Sequence, residues 1–331
     1  MSTSVEEIRR EARQLLEAKS ADLVLGYEAA ALPLRRRACF VRTPDQTARL
    51  VWDRACAPNL AAFLPQLFQK PPGVKGPWTP PKVAVLVKPC DSRSIAGLVR
   101  AHQAPRDRLI LLGLPCAGMV DRHKAAREAG AGLRHAEFAE NEVRLTGSNG
   151  NPKVLPIDSV LADACLECGQ REPVGCDRVL GRAPAPSPPA PRYVDVTAIE
   201  ARPAAERWEA FCAEVSRCIR CYACRQACPN CYCRECFADE TAPCWLGVTT
   251  DPADLALFQL GRALHQAGRC VDCGACVAAC PQGLDLRRLT SKLNKDVAEL
   301  FGTEGPPVGA DEPEALSSFR MEDDQSFMTE P

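Results

Sequence analysis

The chain has 331 residues, 46% hydrophobic and 25% charged, with a formal net charge of −1. That composition suits a globular protein of two domains and gives no bulk-charge reason to expect a nucleic-acid or anionic-membrane partner. A spanning helix needs roughly 20 apolar residues, but the longest purely apolar runs here are about five, as in VAVLV at 83–87, so no membrane insertion is expected.

The opening residues, MSTSVEEIRREARQLLEA, carry acids and no apolar h-region, which argues against a secretory leader. Arg9-Arg10 is followed by Glu-Ala-Arg, which does not suit a twin-arginine export signal. A cytoplasmic location is expected, where thiols stay reduced. Twenty cysteines in such a chain point to metal or cluster ligation rather than disulfides.

In chain order, residues 5–18 predict an amphipathic helix with Val5, Ile8, Ala12, Leu15 and Leu16 on one stripe. KVAVLVK (82–88) and RLILLGL (108–114) read as strands, and DSRSIAGLVRAHQ between them has helical spacing. A strand–helix–strand unit of this kind places two parallel strands side by side. Each strand is followed by a cysteine, Cys90 and Cys116, and sites in parallel sheets gather at the carboxyl ends of strands. EVRLTGSNGNPKVLPI (142–157) alternates around a Gly/Asn turn and predicts a hairpin. GRAPAPSPPAPRY (181–193) predicts an extended, semi-rigid linker. Helices are expected at AERWEAFCAEVSR and at LALFQLGRALHQAG (255–268), the second closed by Gly268.

The reading divides the chain into an α/β N-terminal domain (1–181), a Pro-rich linker (182–203) and an α+β bacterial-type 2[4Fe-4S] ferredoxin-like domain (204–301). An acidic, Pro/Gly-rich tail (302–331) follows, expected to dock on a partner or stay mobile.

The ferredoxin assignment rests on spacing. Cys218, Cys221, Cys224 and Cys228, followed by Pro229, form C-x2-C-x2-C-x3-C-P, and Cys270, Cys273, Cys276 and Cys280, followed by Pro281, repeat it. Three thiolates two residues apart can wrap one cubane, and the fourth leads away to the other cluster. Cluster one is therefore assigned Cys218, Cys221, Cys224 and Cys280, and cluster two Cys270, Cys273, Cys276 and Cys228. Structural zinc more often uses two separated C-x2-C pairs. Cys231, Cys233, Cys236 and Cys244 fit no ferredoxin template: they form a zinc site, an extra cluster, or thiols packed beside the clusters. In the first domain Cys165 and Cys168 form one C-x2-C. With Cys90 and Cys116 they give four thiolates for a third cluster, with Cys56 and Cys176 as substitutes and Cys39 and Cys212 as buried bystanders.

His102, His123, His135 and His265 have no metal-ligand spacing; His265 reads as structural, with a hydrogen bond to cluster sulfur as its functional alternative. No P-loop, dinucleotide fingerprint or G-x-S-x-G occurs. Arg217, Arg220, Arg225 and Arg269 flank the cysteine runs, either to offset anionic clusters or as solvated surface.

KPCDSRSIAGL (88–98), LGLPCAGM (112–119), CLEC (165–168), CIRCYACRQACPNCYCREC (218–236) and CVDCGACVAACPQGLDL (270–286) stand in an order that resembles the beta subunits of deazaflavin-dependent formate dehydrogenases and deazaflavin-reducing hydrogenases. The resemblance covers most of the chain, from about residue 15 to 300. It implies three clusters and a flavin (FAD), the third cluster on Cys90, Cys116, Cys165 and Cys168. ACAPNLAAF (55–63) also matches a family segment, and Cys176 matches nothing there. The family's Gly-rich flavin-holding segment has no counterpart in these residues.

The function expected is an electron-transfer subunit that relays single electrons between an acceptor and the catalytic subunit of a formate dehydrogenase, a hydrogenase or a heterodisulfide-reductase-like complex. No acid–base pair suggests substrate chemistry on this chain. The alternatives are a flavin-dependent enzyme acting on a deazaflavin or similar hydride carrier, and a zinc-stabilised interaction module.

Overall fold

The computed structural model describes residues 3–130, 132–184, 189–309 and 312–315. Helix α1 (Val5–Glu17) starts where Ser4 Oγ accepts the Glu7 amide at 3.0 Å, and it buries Ile8, Ala12, Leu15 and Leu16. Strand β1 (Leu23–Ala29) pairs antiparallel with β2 (Arg36–Val41). β1 is buried on both faces. A Cβ on Gly26 would lie 2.6 Å from Leu50 and 2.8 Å from Leu86, so glycine is what lets these layers close. The short helix α2 (Leu64–Leu67) follows.

The expected strand–helix–strand unit is present as β3 (Val83–Val87), α3 (Pro89–Arg100) and β4 (Leu109–Gly113), with β3 and β4 parallel from Val83 opposite Leu109 to Val87 opposite Gly113. Next come α4 (Arg122–Ala129), β5 (His135–Phe138), β6 (Glu142–Thr146) and β7 (Pro152–Pro156). β6 and β7 are the expected hairpin, joined by β5 into a small antiparallel sheet with its own core around Val143, Leu145, Val160 and Ala125. Helix α5 (Asp163–Leu166) carries Cys165, and β8 (Arg178–Val179) completes a main sheet of order β2-β1-β3-β4-β8.

The second unit departs from the expected α+β class. Among the described residues beyond 189 it forms helices and loops and no strand: α6 (Val194–Glu200), α7 (Ala204–Val215), α8 (Ala223–Gln226), α9 (Pro252–Leu264), α10 (Ala275–Ala279) and α11 (Arg287–Phe301). The segments flanking the two cysteine runs are rich in Ala, Glu, Leu and Lys, strong helix formers, and they fold as α7 and α11. The expected linker is shorter than drawn, because its last part is α6; residues 185–188 of it lie outside the described residues.

The described part of the tail folds back on its own chain. Arg93 donates to the Glu304 carbonyl, and Arg100 donates to the Gly309 carbonyl at 2.9 Å and the Glu312 carbonyl at 2.7 Å. These contacts tie Glu304, Gly309 and Glu312 to α3, the helix whose first turn holds Cys90. Residues 316–331 lie outside the described residues.

Candidate metal centres

The two cysteine runs fold alike. In the first, Arg220 and Tyr222 adopt left-handed backbone (φ 50° and 58°); in the second, Asp272 and Gly274 do (φ 54° and 70°). These are the same two positions in each loop. The Arg220 amide donates to Cys218 Sγ, and the Asp272 amide to Cys270 Sγ, both at 3.4 Å. Left-handed conformations at non-glycine residues cost roughly 1–2 kcal/mol each, and alternating right- and left-handed residues turn successive N–H groups toward one anion. The same pair of left-handed positions recurs in both cysteine loops. Helices α8 and α10, which leave the two loops, pack on each other.

The side chains group across the runs as well as within them. Burial pushes the Cys224 thiol up to about 11, and Cys276, Cys218 and Cys280 are among its neighbours. Burial pushes Cys273 up to about 12, with Cys228 and Cys276 beside it. Cys270 is also raised, by burial first, then by Asp272 and Cys273, with Cys228 again among its neighbours. The fourth cysteine of the first run thus stands among the first three of the second. Cys280 stands by Cys224, and its Sγ accepts the Leu284 amide at 3.4 Å. Cys221 is exposed at the rim.

Cys90, Cys116, Cys165 and Cys168 line one cleft of roughly 1700 Å³, counted to its open mouth, between the two units. Burial pushes Cys116 up to about 12, with Cys165 the next contributor and Cys168 also adding. The Gly118 amide donates to Cys116 Sγ and the Met119 amide to Cys165 Sγ, both at 3.3 Å. Cys273 lines the same cleft. Cys56 turns away from it, its Sγ accepting the Asp53 amide at 3.4 Å. Cys176 packs near Gly113 and Pro173, Cys39 lies buried by Glu28, and Cys212 sits on α7.

Cys231, Cys233, Cys236 and Cys244 do not share a centre in the structure. Cys231 faces Cys228 and takes a 3.7 Å contact from Gln266 Nε2. Cys236 faces Arg225, Cys244 donates to the Leu246 carbonyl at 3.3 Å, and Cys233 is exposed. Among the described residues no three or more His, Cys, Asp or Glu side chains gather as they would around a single ion. Zinc holds its sulfurs at about 2.3 Å in a closed tetrahedron; a cubane keeps its four ligands farther apart, on the outside of a larger body.

Four features fit iron–sulfur ligation: the soft thiol donor sets, the backbone amides aimed at sulfur, the buried thiols held protonated until a cation takes the proton's place, and a buried cation lacking an anion. That cation is Arg262 on α9. It is buried, and no carboxylate lies within ion-pair distance of it among the described residues; its Nε has no hydrogen-bond partner. Its NH2 group approaches the Cys224 carbonyl at 3.4 Å, and the guanidinium also reaches the Cys276 thiol. Gln259 Nε2 donates to Cys218 Sγ at 3.4 Å, and Cys228 donates to Gln266 Oε1 at 3.5 Å. None of Gln259, Arg262 and Gln266 stands out in the sequence reading. The available signal is two polar residues, Gln259 and Arg262, three apart on the buried face of a largely apolar helix.

The arginines picked from sequence have other employment. Arg217 pairs with Glu214 and Arg225 with Asp239. Arg220 holds the Gly247 and Thr249 carbonyls, and Arg269 the Tyr232 hydroxyl. His265 meets the Phe237 ring edge-on at 5.2 Å. Lys88, at the end of β3, is buried with its ammonium on Asp91 (2.9 Å), the Pro58 carbonyl (2.8 Å) and Tyr27. Burial opposes that charge, but Asp91 outweighs burial and holds the ammonium protonated above the ordinary lysine range.

The fold and the thiol sets define an iron–sulfur protein of the electron-transfer class. Residues 265–284 match the 4Fe-4S binding domain family. The chain is 22% identical over 280 residues to the F420-dependent formate dehydrogenase subunit beta of Methanocaldococcus jannaschii, covering 67% of this chain and 73% of that protein. It is 26% identical over 249 residues to the F420-dependent formate dehydrogenase 1 subunit beta of Methanococcus maripaludis, covering 56% of this chain and 63% of that protein. A chain of the F420-reducing [NiFe] hydrogenase complex from Methanosarcina barkeri aligns with a TM-score of 0.35 and 13% identity, over 51% of this chain and 64% of that one. The sequence resemblance is thus to F420-dependent formate dehydrogenase beta subunits. Among the described residues no helix is long and apolar enough to cross a membrane.

Proposed function

We propose that this chain is a cytoplasmic three-cluster relay that passes single electrons to and from the catalytic subunit of a formate dehydrogenase, a hydrogenase or a heterodisulfide-reductase-like complex. Cys218, Cys221, Cys224 and Cys280 would hold the first [4Fe-4S] cluster. Cys270, Cys273, Cys276 and Cys228 would hold the second, giving a bacterial-type dicluster unit. Cys90, Cys116, Cys165 and Cys168 would hold the third. When bound, such clusters supply one-electron exchange.

The observation that carries the reading is continuity. Cys221 is exposed, Cys224 neighbours Cys276, and Cys273 shares a cleft with Cys90. These neighbour relations support a path that runs from the first set through the second to the third. The chain's own residues do the rest. Leu246, Phe258, Leu284 and Leu286 keep water from the first set. Backbone amides orient the sulfurs. Arg287 bridges Asp272 and Glu167, holding the second set against the third.

Oxygen-free purification with iron, acid-labile sulfide and EPR analysis tests the reading. About twelve irons and as many sulfides per chain are expected. A colourless preparation without sulfide would sink it. Zinc in place of iron would favour an interaction module.

A second reading is favoured by the cleft itself. Its lining of Arg35, Arg122 and Arg171 suits an anionic cofactor such as FAD. In that case the chain converts the paired electrons of a hydride carrier into single ones. Flavin absorbance released by heat would support it, and an iron–sulfur shoulder alone would favour the simple relay.

A further inference from the structure

A guanidinium buried without a carboxylate is costly, because desolvation of a charge is compensated only by a nearby opposite charge. Arg262 is 4% exposed and sits on α9 between two other buried polar residues, Gln259 on the same helix at 1% and Gln266 in the turn after it at 2%. The three face sulfur rather than solvent. Gln259 meets Cys218 of the first donor set, Gln266 meets Cys228 of the second, and Arg262 lies between them at the Cys224 carbonyl and the Cys276 thiol. The other arginines near the runs are engaged with acids, carbonyls or phenols. Among the described residues Arg262 has no carboxylate within ion-pair distance, and its nearest ionisable neighbours are thiols. Its charge adds to the neighbours of Cys224, Cys228, Cys231 and Cys276 at once.

We infer that Arg262 is a countercharge shared by the first two cluster sites, and that α9 sets the level at which both accept electrons. The inference rests on the cluster reading above and deepens it. Taking up an electron makes an anionic cluster more negative, so a fixed positive charge nearby favours the reduced form. The hydrogen bond that Gln259 donates to Cys218 acts in the same direction, because donors to sulfur stabilise the added charge. Arg262 is a positioning residue in this sense: it transfers no electron, and it shifts the equilibrium of two sites together. It does not line the cleft of the third set.

The test is an EPR-monitored redox titration of the full anaerobic chain in Arg262→Met, Arg262→Lys and Gln259→Leu, with Arg217→Gln as a surface control. In Arg262→Met, the reduced-to-oxidised ratio of the first two clusters at a fixed ambient potential should fall at least tenfold, about 59 mV for a one-electron couple. The third cluster and the Arg217→Gln control should not move. Arg262→Lys should recover part of the shift, and Gln259→Leu should move the first cluster alone, by less. Unchanged ratios in Arg262→Met with iron intact, or equal shifts in all three clusters, would overturn the inference. If Arg262→Met loses iron, recovery of iron in Arg262→Lys together with the Gln259→Leu shift supports it, and absence of either overturns it. A wild-type chain without acid-labile sulfide would instead remove the cluster reading on which it stands.

Discussion

Cys90 and Cys273 line one cleft from opposite sides, the first on α3 of the sheet domain, the second in the loop before α10. Burial pushes the Cys90 thiol well up, Asp91 adds to the rise, and Cys273 is close enough to contribute. Two donor sets of different domains thus approach each other at these residues.

Removing either residue should cost one cluster and spare its neighbour. Cys90→Ser is expected to lose about four irons from the third set, and Cys273→Ser about four from the second. Iron counting with EPR of each variant checks this. Loss of the same signal in both would mean that the two thiols serve a single centre.

Arg287→Met should loosen the contact between the domains. Its guanidinium is bidentate on Asp272 and reaches Glu167 at 3.1 Å, in a largely buried setting. Breaking a buried pair leaves an uncompensated charge, here worth about 3 kcal/mol. A lower urea midpoint and faster amide exchange around the cleft are the expected results.

Lys88→Met should destabilise the sheet domain by about 3–5 kcal/mol, because Asp91 is fully buried and loses its cation. Urea unfolding of the variant measures it. The double variant Lys88→Met, Asp91→Asn should recover part of the loss, since neither charge is then left alone.

Alkaline stability should depend on Cys39. Burial, then Glu28, pushes its thiol up to about 11, whereas an unfolded cysteine ionises near 8.5. The folded pKa is the higher one, so the contribution is complete below about pH 8.5 and is lost as pH rises toward 11. Unfolding free energy followed from pH 8 to 11 should fall less steeply in Cys39→Ala than in the parent chain.

The elements legible from sequence are those whose pattern is local. The α1 stripe, the β3–α3–β4 unit and the β6–β7 hairpin each carry their own period. β1 escapes notice because it is buried on both faces, so LVLGYEA shows no alternation, while its partner β2 carries two arginines. The cysteine runs show which thiols share a loop, and the repeated left-handed positions follow from that spacing. The density of Cys231, Cys233, Cys236 and Cys244 says nothing about side-chain direction, and the structure points them at different neighbours. Arg262 is hidden for another reason: a buried polar residue in a largely apolar helix acquires meaning only when the facing loops are known.

The duplicated loops differ at one matched position, where Tyr222 stands in the first and Gly274 in the second. Tyr222 lays its ring against Phe258 within its own half, at 5.2 Å. A Cβ on Gly274 would come within 3.1 Å of the Ala164 methyl, across the seam. The two halves of the repeat therefore differ in use: one has an aromatic bolster of its own, and the other carries no side chain there, so that a foreign surface can lie flush on it.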